Sequence, residues 1–475
     1  TTKMDPKSNS IEISITSEYP SYEYSESIEA FVDIHLKAAE CEARVRIPID
    51  IVIVLDISGS MAGDKLKFCK ETIMFLIEQL SPEDRLGLIT YDTNVYTNFN
   101  LMKMNSFGKT KATETLLEIE AKSSTNLSGG LLAGIQEIQS VIRKDGDEVN
   151  QIMSVLLLTD GQANVGLVGK DLTDSLKKII KPETSIFTFG YGFDHNSCLL
   201  KEISEIGNGS YYFVENLDVV SLSFADCLGG LMSVMAQNIK LSSSALKGAK
   251  IEHIYTKKNC HSENNQEIVD LGDIYGGEER DILIKMKLPT FKSPESQCPI
   301  ISCELSFFNV QTSAFETMSA TLFVNRSTGN SLDCKPDENV FNQKNRILVI
   351  ETIEKAQSLC SAGKVDMGKN TIEELIKDFE DKLPIWSKNE VGADLIKDLR
   401  NCSSRMENLS SYKTRGMHAM NAIHQNHITQ RMYYNSAFEH NEGESNFANL
   451  KCFAKRDMVS KARSAMDKKT DDADK

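Results

Sequence analysis

Apolar residues along this chain follow three spacing rules in turn, and each predicts a different kind of element. Near the start Ile11, Ile13 and Ile15 alternate with polar residues, and Ile28, Ala30, Val32, Ile34 and Leu36 repeat the pattern. Such period-two alternation marks antiparallel strands buried on one face. From Ile51 to Leu55 the alternation gives way to an unbroken apolar run, and Val155 to Leu158 forms a second. Runs of this kind suit strands covered on both faces, as in a parallel sheet flanked by helices. After the first run Leu66, Cys69, Ile73, Ile77 and Leu80 recur at three- and four-residue steps, as Leu131, Ile135, Ile138 and Ile142 do further on. Both sets predict amphipathic helices.

Alternation returns at Ile282, Ile284, Met286 and Leu288 and again at Ile301, Cys303, Leu305 and Phe307. Neither block makes a convincing sheet alone. We therefore expect residues 1–47 and 238–328 to form one antiparallel β-sandwich, with residues 48–237 inserted between two of its strands as a doubly wound α/β domain. Asn325 to Pro336 reads as a polar linker. Beyond it Val340, Ile347, Ile350 and Ile353 predict a helix ending near Gly363, and Ile372, Leu375, Ile376 and Phe379 another ending before Pro384. Two more are expected near Ala393–Glu407 and Lys413–Tyr433, which makes 338–452 a helical region. Residues 453–475 alternate charges with little apolar content and read as a charged tail, either a solvated helix or disordered.

The candidate chemistry lies at the ends of the two apolar runs. Asp56 is the first polar residue after Leu55 and opens Asp56-Ile57-Ser58-Gly59-Ser60-Met61. In an extended loop the alternation of Asp56, Ser58 and Ser60 aims their side chains into one concavity. Thr125 sits in a Ser/Gly-rich loop before a helix, with Ser128 or a neighbour as its cap. Asp160 follows the second run after Thr159. Loops at the carboxyl ends of parallel strands line the binding crevice of such sheets. Two carboxylates and three hydroxyls offer only hard oxygen donors, which suit Mg²⁺ or Mn²⁺ better than zinc and also admit Ca²⁺.

Each residue also has a plainer reading. Asp56 taken alone is a helix cap, and Asp160 alone is a loop carboxylate; a bound cation is also compatible with a purely structural role. His424 and His427 lie one helical turn apart, a spacing that suits zinc, but with no cysteine or carboxylate pair evident nearby they read as a surface face. His195, in Tyr191-Gly192-Phe193-Asp194-His195, follows another strand and is the candidate base for a metal-assisted hydrolase. No Gly-x-Ser-x-Gly elbow accompanies the serines, and a shell of hydroxyls supplies no general base. The expectation is a binding protein rather than an enzyme.

The set Asp56, Ser58, Ser60, Thr125 and Asp160 resembles the metal-ion-dependent adhesion site of the von Willebrand factor type A domain, with the pattern Asp-x-Ser-x-Ser, then Thr, then Asp. The resemblance runs from Pro48 to Gln237. It implies a doubly wound, mostly parallel sheet with one antiparallel edge strand, here Val95 to Met102. It also implies a bound Mg²⁺ whose open coordination position is filled by a carboxylate from a partner protein. In that family the serines and the threonine bind the metal directly or through water, and the aspartates act mainly from further out. Integrin β chains and the Sec23 family carry a comparable insertion in a sandwich, a likeness at the level of fold alone. The segments Ile268–Asp281 and Gly416–Arg431 are similar to parts of plant RING-type von Willebrand A proteins. Those are ubiquitin ligases through a RING, and this sequence contains no Cys-x-x-Cys pair, so ligase activity is not part of the expectation.

Composition narrows the partners. The chain has 475 residues and a net charge of −15, which argues against nucleic acid or an anionic membrane. No apolar run is long enough to span a bilayer and no signal-peptide pattern opens the sequence. Eleven scattered cysteines without a zinc spacing point to the cytoplasm rather than to secretion. The functional expectation is an adaptor or scaffold that captures an Asp or Glu of a protein ligand through a divalent cation. The alternative is a structural subunit of a large intracellular assembly. Oligomeric state is left open by the sequence.

Overall fold

A computed structural model describes residues 3–4, 10–40, 47–122, 124–140, 150, 152–160, 162–214, 217–328, 335–381, 390–431 and 455–464. The chain opens with strands β1 (Lys3–Met4), β2 (Ile11–Ser17), β3 (Ser21–Glu23) and β4 (Ile28–Ala38). It continues through β5 (Ile49–Asp56), α1 (Asp64–Gln79), β6 (Arg85–Tyr91), β7 (Val95–Lys103), α2 (Ser106–Glu118) and α3 (Leu127–Ser140). Next come β8 (Ile152–Thr159), α4 (Gly169–Ile179), β9 (Thr184–Tyr191), α5 (Ser197–Ile206), β10 (Asn208–Val214) and α6 (Leu217–Leu231). Strands then resume as β11 (Val234–Ala245), β12 (Lys250–Tyr255), β13 (Cys260–Glu263), β14 (Gln266–Tyr275), β15 (Glu279–Leu288), β16 (Glu295–Asn309) and β17 (Ala314–Ser327). Helices α7 (Glu338–Ser361), α8 (Val365–Asp381), α9 (Glu390–Ser404) and α10 (Met417–Thr429) follow, and residues 455–464 form α11. The chain divides into two compact units, Thr1–Ala39 with Met235–Arg431 and Glu40–Val234 with Met432–Lys475.

In the second unit six strands form one sheet in the order β10-β9-β8-β5-β6-β7. Every pairing is parallel except β6 with β7, so the expected antiparallel edge strand is present at Val95–Lys103. Strands β5, β8 and β9 are buried at every position, which is why β5 and β8 carry the unbroken apolar runs Ile51–Leu55 and Val155–Leu158 rather than alternations. Helix α1 buries Leu66, Cys69, Ile73 and Ile77, and α3 buries Leu131, Ile135 and Ile138; Ile142 lies outside the described residues.

The strands of the first unit form a sandwich, mainly antiparallel, with β3 joining β17 in parallel. One sheet runs β1-β17-β16-β11-β14-β13, with β3 added beside β17, and the other runs β12-β15-β4-β2. Strand β4 pairs with β15 so that Ile34 lies opposite Ile282 and Val32 opposite Ile284. Their alternating apolar faces meet Leu241, Cys303, Leu305 and Phe307 of the other sheet in a single core. Strands from the two ends of the sequence therefore interleave, and neither set closes a core alone. In the helical region Asp337 caps α7 by accepting from the Asn339 and Val340 amides, and Gly363, at φ +78°, turns the chain into α8.

Two expectations change here. The segment 453–475, read as a solvated or disordered tail, contains α11, which buries Lys455, Met458, Val459 and Ala462. The charge alternation masks an apolar stripe at three- and four-residue spacing, and the Lys455 ammonium is neutralised 3.0 Å from the buried Asp226 carboxylate. Residues 453–454 and 465–475 lie outside the described residues, as do 432 and 433 at the end of the fourth expected helix. His424 and His427 do not form a surface face. His424 is 3% exposed, with Nε2 2.9 Å from Glu354, while His427 Nε2 stands 3.1 Å from Asp398. Each ring has its own carboxylate, and among the described residues no three His, Cys, Asp or Glu side chains gather into a metal cluster.

The segments Ile268–Asp281 and Gly416–Arg431, far apart in sequence, meet at a buried carboxylate. Arg431 donates through Nε to Glu278 Oε1 at 2.8 Å and through Nη2 to Oε2 at 3.1 Å, and it also reaches the Asp273 carbonyl at 2.7 Å. Arg280 donates to the same Oε1 at 2.8 Å, the Tyr275 amide donates to Oε2 at 2.8 Å, and the Tyr275 ring stacks 3.9 Å from the Arg431 guanidinium. Burial by itself raises the Glu278 carboxyl; the two guanidiniums override it and bring it down to about 2. A carboxylate held below its unfolded value stabilises the fold above the unfolded pKa and loses that contribution as pH falls.

Two outcomes follow for this clasp. Arg431→Met is expected to cost about 3 kcal/mol, because it leaves a buried charge cluster incomplete. Amide exchange in α10 peptides should quicken accordingly, and unchanged exchange would contradict the clasp. Stability should decline as pH drops from about 4.5 toward about 2. In Glu278→Gln that acid limb should be measurably flatter in pH-dependent denaturant melts; an identical slope would show that Glu278 does not carry it.

Candidate functional site

The parallel register of the second unit builds this site. Leu55 pairs with Leu158 across β5 and β8, so Thr159 comes beside Asp56 and Asp160 follows just past the strand end. On the other side of β5, Asp56 pairs with Tyr91. Asp56 is fully buried, and its carboxylate accepts from three neutral donors: the Ser58 amide to Oδ1 at 2.8 Å, and Thr159 Oγ1 and the Tyr91 hydroxyl to Oδ2 at 2.6 and 3.3 Å. Burial pushes this carboxyl above its usual range, and the hydrogen bonds from Ser58 and Thr159 offset part of that.

Ser58 is extended (φ −61°, ψ 164°) ahead of a single 3₁₀ turn at Gly59–Met61. That geometry sets Ser58 Oγ 3.1 Å from Ser60 Oγ, and Ser60 Oγ donates to Asp160 Oδ1 at 3.0 Å. Asp160 is also fully buried, and its Oδ2 accepts from the Lys65 ammonium at 2.9 Å. Lys65 reaches Asp194 Oδ1 at 3.4 Å as well. Burial alone lowers the Lys65 ammonium, but the Asp160 carboxylate beside it reverses the direction and raises it.

Thr125 is 3% exposed. The loop that carries it is tied to both neighbours. The Lys122 amide donates to the Ile57 carbonyl at 2.6 Å, and the Asn164 and Val165 amides donate to the Thr125 carbonyl at 3.1 and 3.2 Å. Asn164 Oδ1 accepts from the Thr125 amide at 2.9 Å. Helix α3 is capped by Asn126, whose Oδ1 accepts from the Gly129 amide at 3.0 Å. Ser58, Ser60 and Asp160 thus form one hydrogen-bonded chain linked to Asp56 through Ser58. Thr125 joins them through backbone contacts of its loop; among the described contacts its hydroxyl is not part of that chain.

The first unanticipated participant, Thr159, stands between the apolar run and Asp160 and reads there as the last residue of a strand. Tyr91 is signalled only by its place at the end of the next strand, and Lys65 by nothing in the local pattern. His195 approaches as an element of structure rather than as a free base. Its Nδ1 lies 2.6 Å from the Gly192 carbonyl and its Nε2 2.5 Å from the Tyr211 hydroxyl, with the ring 3% exposed. Cys69, on the face of α1 turned to the sheet, has its thiol pushed up to about 12 by burial, which fits an inert core cysteine.

Comparison with known proteins agrees with this fold. The sequence profile of the von Willebrand factor type A domain matches residues 50–225. A solved von Willebrand factor type A protein from Catenulispora acidiphila superposes with a TM-score of 0.63 at 16% identity, over 83% of this chain and 91% of that one. Residues 50–225 form a von Willebrand factor type A domain. The E3 ubiquitin-protein ligase WAV3 of Arabidopsis thaliana is 27% identical over 254 residues, which is 52% of this chain and 32% of the ligase. Human inter-alpha-trypsin inhibitor heavy chain H4 is 27% identical over 171 residues, 35% of this chain and 18% of that protein. The match to these curated relatives thus spans about a third of their length or less.

Within the von Willebrand A domain one glycine admits a contact that the site needs. A Cβ built on Gly130 falls 2.3 Å from Cδ1 of the Tyr91 ring, so its absence lets α3 close over Tyr91 while that hydroxyl faces Asp56. Gly130→Ala is expected to cost about 2 kcal/mol by overpacking a rigid ring. A thermal midpoint unchanged from wild type would contradict this.

Proposed function

We propose that the von Willebrand A domain is a protein-binding module that holds Mg²⁺, with Mn²⁺ or Ca²⁺ as alternatives, through Asp56, Ser58, Ser60, Thr125 and Asp160, and that an Asp or Glu of a partner protein completes the shell. The observation that carries this reading is the placement of two fully buried carboxylates at the ends of adjacent strands, beside a chain of hydroxyl oxygens. Asp56 is met there only by neutral donors among the described contacts, which leaves a surplus of negative charge that favours a cation. The oxygen-only donor set fits a hard divalent ion. When bound, such an ion supplies a Lewis-acidic position for an external carboxylate.

The chain's own residues do the rest. Ser58 and Ser60 present their hydroxyls from a fixed turn, Thr159 and Tyr91 hold Asp56 in place, and Asn164 fixes the loop of Thr125. Binding rather than catalysis is the reading supported by His195, whose two ring nitrogens are engaged by Gly192 and Tyr211. The free thiols of the described cysteines support an intracellular, cytoplasmic setting, with an adaptor or scaffold role. The net charge of −15 favours protein partners over nucleic acid.

Affinity capture with the full chain, split into magnesium and chelator arms, tests this function. Partners should be retained with Mg²⁺, be lost in EDTA, and be lost from Ser58→Ala/Ser60→Ala while its circular dichroism stays unchanged. Identical partners in all arms would contradict the proposal and favour a structural subunit instead.

A further inference from the structure

Lys65 has no part in the donor set proposed above, yet its ammonium occupies the one carboxylate oxygen of Asp160 that Ser60 leaves open. Asp160 Oδ1 accepts from Ser60 at 3.0 Å and Oδ2 accepts from Lys65 at 2.9 Å, so the protein's own donors engage both oxygens. Asp56 differs: its described donors are an amide and two hydroxyls, none of them charged. Of two buried carboxylates at the same sheet edge, one is neutralised by a resident cation and the other is not. The Lys65 side chain stays 29% exposed, so its charge faces solvent on the same side as the serine hydroxyls it adjoins through Asp160. A weaker contact at 3.4 Å to Asp194, whose side chain is 54% exposed, holds the lysine from its outer side.

We propose that Lys65 sets the ligand preference of this site: it cancels the charge of Asp160, so that a divalent cation is held less tightly but leaves a net positive site that selects an acidic group over a neutral one. The inference rests on the metal-binding reading of the previous subsection. Its logic is charge counting. Asp194 is 54% exposed and its charge is largely screened by solvent, so the count is made over the two buried carboxylates and the lysine. Asp56, Asp160 and Lys65 sum to one negative charge, and a divalent ion brings these three to one positive charge. Without the lysine the same ion only neutralises the two carboxylates, and an incoming carboxylate gains no net attraction. Lys65 therefore trades cation affinity against affinity for the anionic partner, and removing it moves the two in opposite directions. Simple loss of structure moves both in the same direction.

The test uses the whole 475-residue chain, Lys65→Met as a neutral replacement of similar length, and Lys65→Arg as the charge-preserving control. Mn²⁺ serves as the metal probe, followed by calorimetry, and acetate as the carboxylate probe, followed by the relaxation of its methyl protons by protein-bound Mn²⁺. Lys65→Met should bind Mn²⁺ roughly tenfold more tightly and acetate roughly tenfold more weakly than wild type, as expected for losing one nearby charge in a half-buried site. Lys65→Arg should behave as wild type in both. Equal Mn²⁺ and acetate affinities in wild type and Lys65→Met, or a fall in both, would overturn the role of Lys65 while leaving the metal site standing. Failure of wild type to bind Mn²⁺ would overturn the metal reading and this inference with it.

Discussion

Two aspartates buried side by side at the end of a parallel sheet are the constraint around which the von Willebrand A domain is organised. The register that pairs Leu55 with Leu158 fixes their spacing, and neither carboxylate is exposed to bulk solvent. Each must be answered by donors brought from elsewhere in the chain. Thr159 comes from the neighbouring strand, Tyr91 from the strand on the other side, Ser58 and Ser60 from the turn, and Lys65 from the start of α1. The site is therefore the place where the fold resolves a like-charge problem, and the cation binding proposed for it answers that same need.

The sandwich unit meets a comparable problem with the opposite solution. There a single carboxylate, Glu278, is answered by two guanidiniums, Arg280 and Arg431, the second from 153 positions away. Its charge is met from within the protein, and the side chain is buried. One unit thus closes its ionic cluster internally, while the other, among the described residues, leaves Asp56 with neutral donors only. That contrast separates a cluster built for stability from one suited to an external ligand.

Much of this was legible in the sequence, for physical reasons that differ by element. The central strands β5 and β8 of the parallel sheet are written as unbroken apolar runs because both faces are covered, and the sandwich strands as alternations because one face is wet. Asp56, Ser58 and Ser60 could be placed because their alternation and the turn after a buried strand leave few conformations. What the pattern hid was tertiary. Helix α11 draws its stability from an apolar stripe and a buried Lys455–Asp226 pair that no local charge count reveals. His424 and His427 find separate carboxylates on different helices, and periodicity cannot tell a wet face from a satisfied buried one. Tyr91 and Lys65 reach the site through strand register and side-chain length, neither of which a sequence spacing encodes.

The most direct test of the account is a crystal structure of the protein grown in Mn²⁺, with the ion located by its anomalous scattering. The account predicts a single strong peak beside the Ser58 and Ser60 hydroxyls, within coordinating distance of Thr125 Oγ1, with Asp56 and Asp160 behind it. A featureless map there, with the Ser58–Ser60–Asp160–Lys65 hydrogen bonds intact, would contradict it.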